Sequence, residues 1–339
     1  MSVIKIEDIA HVKFSAPDLG KMQTFLTEFG LDTWRAGDGR LYARASDGIP
    51  FNHVTEKGQA GFQGLGLRAE SVEDLQKLAA SEEVEIQELP TPGGGKYICL
   101  KDPDGFLVEV VAGQEFTEPS AVPTEPPRNS AAVKTRHRQA VRLNAGPSHV
   151  LRLGHCVLNV SDFRTSERWY KERFGFITSD EIEAASGLAI GAFMRCDRGD
   201  QPTDHHTLFL AQLPQKPGYM HAAFEVAGLD DLMLGHAHLK SNNRKAAWGV
   251  GRHILGSQIF DYWKDPWGHE LEHWTDGDLF TAADGSNTAT VDDLLAVQWG
   301  MQNPMFSGRL APSPRVVSFA IAMSARIKRL FGKKRTNPQ

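Results

Sequence analysis

The chain holds 339 residues, a length that at roughly 100–200 residues per domain predicts two domains with ample core. Hydrophobic residues make up 41% and charged residues 23%, which excludes wholesale disorder, collagen and coiled coil. A formal net charge of -5 argues against a general nucleic-acid binder, because phosphate binding needs a basic excess on one face. The three cysteines, Cys99, Cys156 and Cys196, are odd in number and far apart, and no charged-then-apolar leader opens the chain. The expectation is a reducing cytoplasm without disulfides. No apolar run reaches the roughly 18 residues of a membrane span.

In chain order, Ile9-Ala10-His11 predicts a strand, and Leu19, Met22, Phe25, Leu26 and Phe29 then recur at helical spacing up to a closing Gly30. Leu65-Gly66-Leu67-Arg68-Ala69 leads into a helix at Val72-Glu73-Asp74-Leu75. A strand at Tyr97-Ile98-Cys99-Leu100 runs into the turn Asp102-Pro103-Asp104-Gly105. Residues 115–147 open with Pro119, Pro123, Pro126 and Pro127 among Glu, Thr and Ser, the composition of a linker.

The order then repeats. Leu153-Gly154-His155 precedes Phe163, Tyr170 and Phe174, closed by Gly175; Ala223-Phe224-Glu225-Val226 precedes a helix at Leu229-Asp230-Asp231-Leu232; Ile259-Phe260-Asp261-Tyr262 precedes Asp265-Pro266-Trp267-Gly268. Asp-Pro-x-Gly is a type I turn signature, with proline setting φ at its second position. The expected fold is α+β: two strand-helix-strand-strand-strand modules over about residues 5–113 and 148–276, each a curved open sheet. The expected domains are 1–114, the linker 115–147, a second domain 148–290 and an extension 291–339. In that extension Val316, Val317, Phe319, Ile321 and Met323 precede Arg326, Lys328, Arg329, Lys333, Lys334 and Arg335. A C-terminal helix docked on its own protein, with a solvated basic end, is expected there rather than one lying on a membrane.

Nine of the 13 histidines lie from His155 to His273. His155, His221 and Glu272 occupy the landmark positions of the second module. Two imidazoles and one carboxylate on neighbouring strands can take one face of a divalent metal and leave positions open for substrate and oxygen.

Gly251-Arg252-His253, Tyr262, Asp265-Pro266-Trp267-Gly268 and Glu272 together resemble the signature of the type I extradiol ring-cleaving (catechol 2,3-) dioxygenases of the vicinal oxygen chelate, or glyoxalase/bleomycin resistance, superfamily. The resemblance covers roughly residues 5–276 and implies two tandem vicinal-oxygen-chelate domains. It implies Fe(II), with Mn(II) the other possibility, on His155, His221 and Glu272. The acid-base histidine maps onto His206 in His205-His206-Thr207-Leu208-Phe209-Leu210, where the apolar run keeps the register, with His205 beside the substrate. A His and Tyr contacting substrate and oxygen map onto His253 and Tyr262. The implied partners are a catecholic small molecule and O2, in a homo-oligomer, a tetramer by resemblance, without nucleic acid or membrane. The implied reaction is meta cleavage of a substituted catechol or related hydroxylated aromatic, with both oxygen atoms inserted, in aromatic-compound catabolism.

The sequence departs from that pattern in places. The residue before Tyr262 is Asp261 rather than apolar, and on a strand it faces away from the tyrosine, toward sheet packing or a subunit contact. Relatives that cleave carboxylate-bearing catechols carry an arginine where this chain has Trp248, whose apolar face suits an alkyl, aryl or fused-ring substituent. Arg309 or Arg315, in the extension, could supply a charge instead. In the first module the ligand counterparts are His11, Gly64 and Glu109, so one imidazole is missing and no second metal is expected. Glyoxalase-like lyases, 4-hydroxyphenylpyruvate-type dioxygenases and a metal-free binding module remain the alternatives.

Overall fold

The computed structural model describes residues 2–304 and 314–332. Two sheets arise from the two halves of the chain. The first is built from β1 (Ile6–Ala16), β2 (Asp32–Arg35), β3 (Leu41–Arg44), β4 (His53–Lys57), β5 (Gly61–Ala69), β6 (Gln87–Glu88), β7 (Lys96–Lys101) and β8 (Leu107–Ala112), with α1 (Leu19–Phe29) after β1 and α2 (Val72–Glu82) after β5. The second half contributes β9 (Val150–Asn159), β10 (Ile177–Ala185), β11 (Leu188–Arg195), β12 (Thr203–Asp204), β13 (Leu208–Ala211), β14 (Gly218–Val226), β15 (Lys245–His253), β16 (Ile259–Lys264), β17 (Glu270–Thr275), β18 (Leu279–Phe280), β19 (Asn287–Thr290) and β20 (Val297–Gly300). Helix α3 (Phe163–Phe174) follows β9 and α4 (Leu229–Ser241) follows β14, while α5 (Val291–Leu295) and α6 (Pro314–Gly332) lie in the extension.

The strand orders are β2-β3-β4-β1-β5-β8-β7-β6 and β19-β10-β11-β13-β9-β14-β17-β16-β15-β20. Without its two edge strands the second order repeats the first, strand for strand. Each half therefore holds two strand-helix-strand-strand-strand units, not the single unit that the sequence landmarks mark out. The overlooked strands are short: β2 and β3 have four residues each and β6 has two. The pairing of β12 with β18 makes a separate ribbon.

Local chemistry explains the repeated landmarks. Asp18 and Asp162 cap α1 and α3 by accepting from Lys21 N and Thr165 N, and Gly30 (φ 107) and Gly175 (φ 73) end those helices in the left-handed region closed to most side chains. In the two turns, Asp102 Oδ1 accepts from the amides of Asp104 and Phe106, and Asp265 Oδ1 from those of Trp267 and His269.

One continuous core joins the halves, with Phe14, Phe25, Phe29, Phe174, Phe224 and Trp263 among its buried members. His273 Nε2 donates to Phe29 O at 2.7 Å across this junction. The linker is tied down on both sides: Thr117 N donates to Gly48 O, and Glu125 Oε1 accepts from Asp230 N at the start of α4, which has no capping side chain of its own.

Helix α6 buries Ile321 and Ala325 against the second half and exposes Val316, Phe319, Met323 and Ile327. No helix among the described residues is long and apolar enough to cross a membrane. The extension is not wholly separate, because β20 pairs with β15 and enters the second sheet from beyond residue 290. Arg309, Lys333, Lys334 and Arg335 lie outside the described residues, as do the side chains of Arg315, Val317, Lys328 and Arg329.

Candidate metal centre

The candidate residues line up across neighbouring strands of the second sheet. His155 lies on β9, His221 on β14, Glu272 on β17, Tyr262 on β16 and His253 on β15, and His206 sits just before β13 on the other side of β9. In the pairing register Ala223 stands opposite both His155 and Glu272, Glu272 stands opposite Tyr262, and His221 is two residues along from Ala223. Side chains two apart on a strand share a face, so the ligands converge.

One nitrogen from each histidine and one carboxylate oxygen lie within 4.8 Å of one another. His155 Nε2 is 3.2 Å and His221 Nε2 3.3 Å from Glu272 Oε2, and His253 Nε2 is 3.7 Å from Oε1. None of these contacts has hydrogen-bond alignment, and both oxygens of the fully buried Glu272 lack a donor. A buried, uncompensated carboxylate costs several kcal/mol. A divalent cation among these atoms would supply the missing partner, and an N, N, O donor set of this kind suits one.

The electrostatics are those of a buried anion ringed by imidazoles. Burial alone would raise the Glu272 carboxyl, but the His155, His221 and His253 rings outweigh it and hold the group well below the ordinary range. Burial pushes His155 below the usual 6.5, against the pull of Glu272. It pushes His206 far lower still, reinforced by the neighbouring His155 and His205, so His206 is neutral. The Tyr262 phenol is driven well above 10 by burial and by the Glu272 charge, and it remains a hydrogen-bond donor. Cys156, next in sequence to His155, is a buried thiol pushed far upward, and no disulfide joins the three cysteines.

Around the triad, the His206 ring lies 4.0 Å from that of His155, and His253 Nε2 is 3.0 Å from the Tyr262 hydroxyl. Trp248 stacks on Tyr262 at 5.6 Å and tilts against Phe260 at 4.6 Å. Its indole N–H donates to Met301 O at 2.7 Å, so it offers the site an apolar face and no polar handle.

One expectation needs correction. His205 does not stand beside a substrate: it is buried behind His206, with Nε2 on Asp180 Oδ2 at 2.6 Å and Nδ1 on His206 Nδ1 at 3.1 Å. The physical reason is local, since residues 205–207 form a bend rather than a strand and both rings turn to one side. Asp261 follows the sheet-packing alternative: it faces away from Tyr262, accepts from Trp263 Nε1 at 2.6 Å and pairs with His236 of α4 at 3.1 Å. Asp180 and Gln298, whose side chain donates to His253 O at 2.9 Å, escaped the sequence reading. Neither carries a motif or a telling spacing.

The first sheet repeats the register with different contents. Gly66 stands opposite both His11 and Glu109, which puts Gly64 where His221 is and Cys99 where Tyr262 is. His11 Nε2 is 2.9 Å from Glu109 Oε2, and the Lys13 ammonium donates to Oε1. A lysine supplies the positive charge there. Burial would raise the Glu109 carboxyl, but His11 and Lys13 reverse this and bring it down to about 2.

Comparison with known proteins agrees with this architecture. Residues 152–273 match the family described as the Glyoxalase/Bleomycin resistance protein/Dioxygenase superfamily. Metapyrocatechase 2 of Cupriavidus necator is 29% identical over 314 residues, covering 89% of this chain and 91% of that one. An iron-dependent extradiol dioxygenase of Rhodococcus jostii (strain RHA1) is 30% identical over 295 residues, covering 81% of this chain and 90% of that one. Among solved structures, the Mn(II)-bound glyoxalase from Novosphingobium aromaticivorans shares the fold, with a TM-score of 0.73 at 20% identity over 91% of this chain and 94% of that one. The chain belongs to the extradiol dioxygenases of this superfamily, which are metal-dependent oxygenases.

Proposed function

We propose that this protein opens the ring of a neutral, substituted catechol beside its diol, inserting both atoms of O2, with one Fe(II) held by His155, His221 and Glu272. The observation that carries the reading is the donorless buried carboxylate of Glu272 between two imidazoles, with a neutral His206 and the His253–Tyr262 pair around it. Mn(II) suits the same donors. Bound by these three side chains, the metal would supply Lewis-acidic, redox-active chemistry for the diol and O2.

The chain's own residues do the remaining work. His206 takes a proton from a substrate hydroxyl at Nε2 and returns it as the ring opens. Tyr262 and His253 orient the diol and stabilise developing charge on oxygen by hydrogen bonds. Trp248, Phe260 and Tyr262 form an apolar wall that suits an alkyl, aryl or fused-ring substituent and excludes water. The first domain, residues 1–114, acts as a metal-free scaffold packed on a catalytic domain of residues 148–290 that the extension completes. The unpaired thiols fit a reducing cytoplasm, and the family resemblance fits a homotetramer, which sedimentation velocity tests. The three side chains lie within one sheet, His155 in one strand-helix-strand-strand-strand unit and His221 and Glu272 in the next. Oxygen uptake on iron-reconstituted protein with a panel of catechols is the test: uptake matched by ring-opened product is expected, and its absence with every catechol overturns the proposal.

A further inference from the structure

We infer that Asp180 and His205 are positioning residues forming a proton relay behind His206: as His206 Nε2 accepts the substrate proton, its Nδ1 proton passes to His205, and the positive charge settles against Asp180. The inference rests on the ring-cleavage reading, in which His206 is the base.

With a neutral His205 taken as the resting state of the relay, the hydrogen bonds fix where each proton sits. An ionised carboxylate can only accept, so the 2.6 Å contact between Asp180 Oδ2 and His205 Nε2 places a hydrogen on that nitrogen. In neutral His205 the other nitrogen, Nδ1, is then an acceptor, and its 3.1 Å contact with His206 Nδ1 needs the hydrogen on His206. His206 is left with its lone pair on Nε2, which makes no hydrogen bond among the described residues. A carboxylate that does not touch the substrate thus decides which nitrogen of His206 is basic.

One substrate O–H bond breaks as one N–H bond forms at His206 Nε2, and one N–H bond breaks at His206 Nδ1 as one forms at His205 Nδ1; the return runs the same bonds backward, and no electrons change hands. A cation left on His206 would lie against the His155 ring at 4.0 Å with no carboxylate bonded to it. On His205 it is paired directly with Asp180. Arg195, the nearby cation, acts on Asp180 only through space, because its guanidinium bonds to Thr178 O, Ser179 Oγ, Thr281 O and Gly285 O.

The surroundings hold the relay in register. The His205 ring lies between Phe193 at 5.2 Å and Phe280 at 5.4 Å. Gly256 (φ +73) approaches so closely that a Cβ there would stand 2.8 Å from His205 Nδ1, the atom that meets His206.

Two measurements test the relay. In 15N spectra of the diamagnetic zinc-loaded chain, with His206 assigned through the His206→Gln variant, His206 should carry its hydrogen on Nδ1; a hydrogen on Nε2 in the resting protein overturns the inference. Asp180→Asn and His205→Gln should each lower kcat by about tenfold to a hundredfold with KM and metal content unchanged, and Asp180→Glu should recover part of the loss. Wild-type kcat in both Asp180→Asn and His205→Gln, or a loss tracking metal content, would overturn it. A wild-type chain inactive toward every catechol would overturn ring cleavage instead, and the tautomer would still be read independently.

Discussion

Glu272 is the side chain with the least freedom in the site, because two histidines and a tyrosine face a carboxylate that has no donor of its own. Removing one of three donors from such a set leaves too little to hold a divalent ion, so His221→Ala should purify without metal; retention of a full equivalent by elemental analysis would refute the triad. His206→Phe should lower kcat by roughly 10²–10⁴-fold while metal content stays at the wild-type level, the range typical of a positioned acid-base group. A residue away from the chemistry makes a separate, pH-dependent prediction. His53 is fully buried and stacks on Phe14 at 4.9 Å, and burial pushes it from the ordinary 6.5 down to about 3. Below pH 6.5 the unfolded chain takes a proton at this position that the folded chain refuses, so stability falls as the pH drops toward 3. At pH 4 this amounts to about 3 kcal/mol at 1.36 kcal/mol per pH unit. Urea titrations of His53→Phe should therefore show a shallower acid loss than wild type between pH 6.5 and 4, and parallel curves would contradict the assignment.

At the level of elements, the two sheets pose a controlled comparison, since the same strand order carries a candidate metal-ligand set in one and a lysine ion pair in the other. Lys13 and His11 already compensate Glu109. Replacing both His11 and Glu109 by alanine should leave one metal per chain, and a drop in stoichiometry would reveal a second site. Strand β20 lends its backbone to the outer side of β15, and Gln298 holds the carbonyl of His253. The ligands themselves lie on β9, β14 and β17, further inside the sheet. A chain ending at residue 295 should thus keep its metal but lose up to about 10²-fold in kcat/KM, because His253 would be misplaced. Simultaneous loss of metal would show that the extension supports the sheet as a whole.

The whole molecule sets specificity through what its apolar surfaces leave unpaired. The wall of Trp248, Phe260 and Tyr262 carries no cation, and Arg252, next to His253, is held by Ser257 O and Asp276. A substrate carboxylate buried there would meet no free cation among these described residues. We expect 3-methylcatechol and 2,3-dihydroxybiphenyl to give higher kcat/KM than homoprotocatechuate. A clear preference for the carboxylate compound would point to a charge supplied from the extension.

Much of this protein was legible in its sequence because the signals are local. Aspartate caps, helix-ending glycines and the two Asp-Pro-x-Gly turns act over a few residues, and they recur in the same order in both halves. Together they marked the repeat and the landmark positions of His155, His221 and Glu272. Other features depend on which strand lies beside which, and no short-range spacing records that. The doubling of the modules rested on strands of two to four residues with too little alternation to detect. Asp180 meets His205 across a separation of 25 residues. The indole N–H of Trp248 is taken up by a carbonyl 53 residues away. Tertiary structure alone decided those partnerships, because a buried polar atom bonds to whatever the fold brings within about 3 Å of it, however distant in sequence.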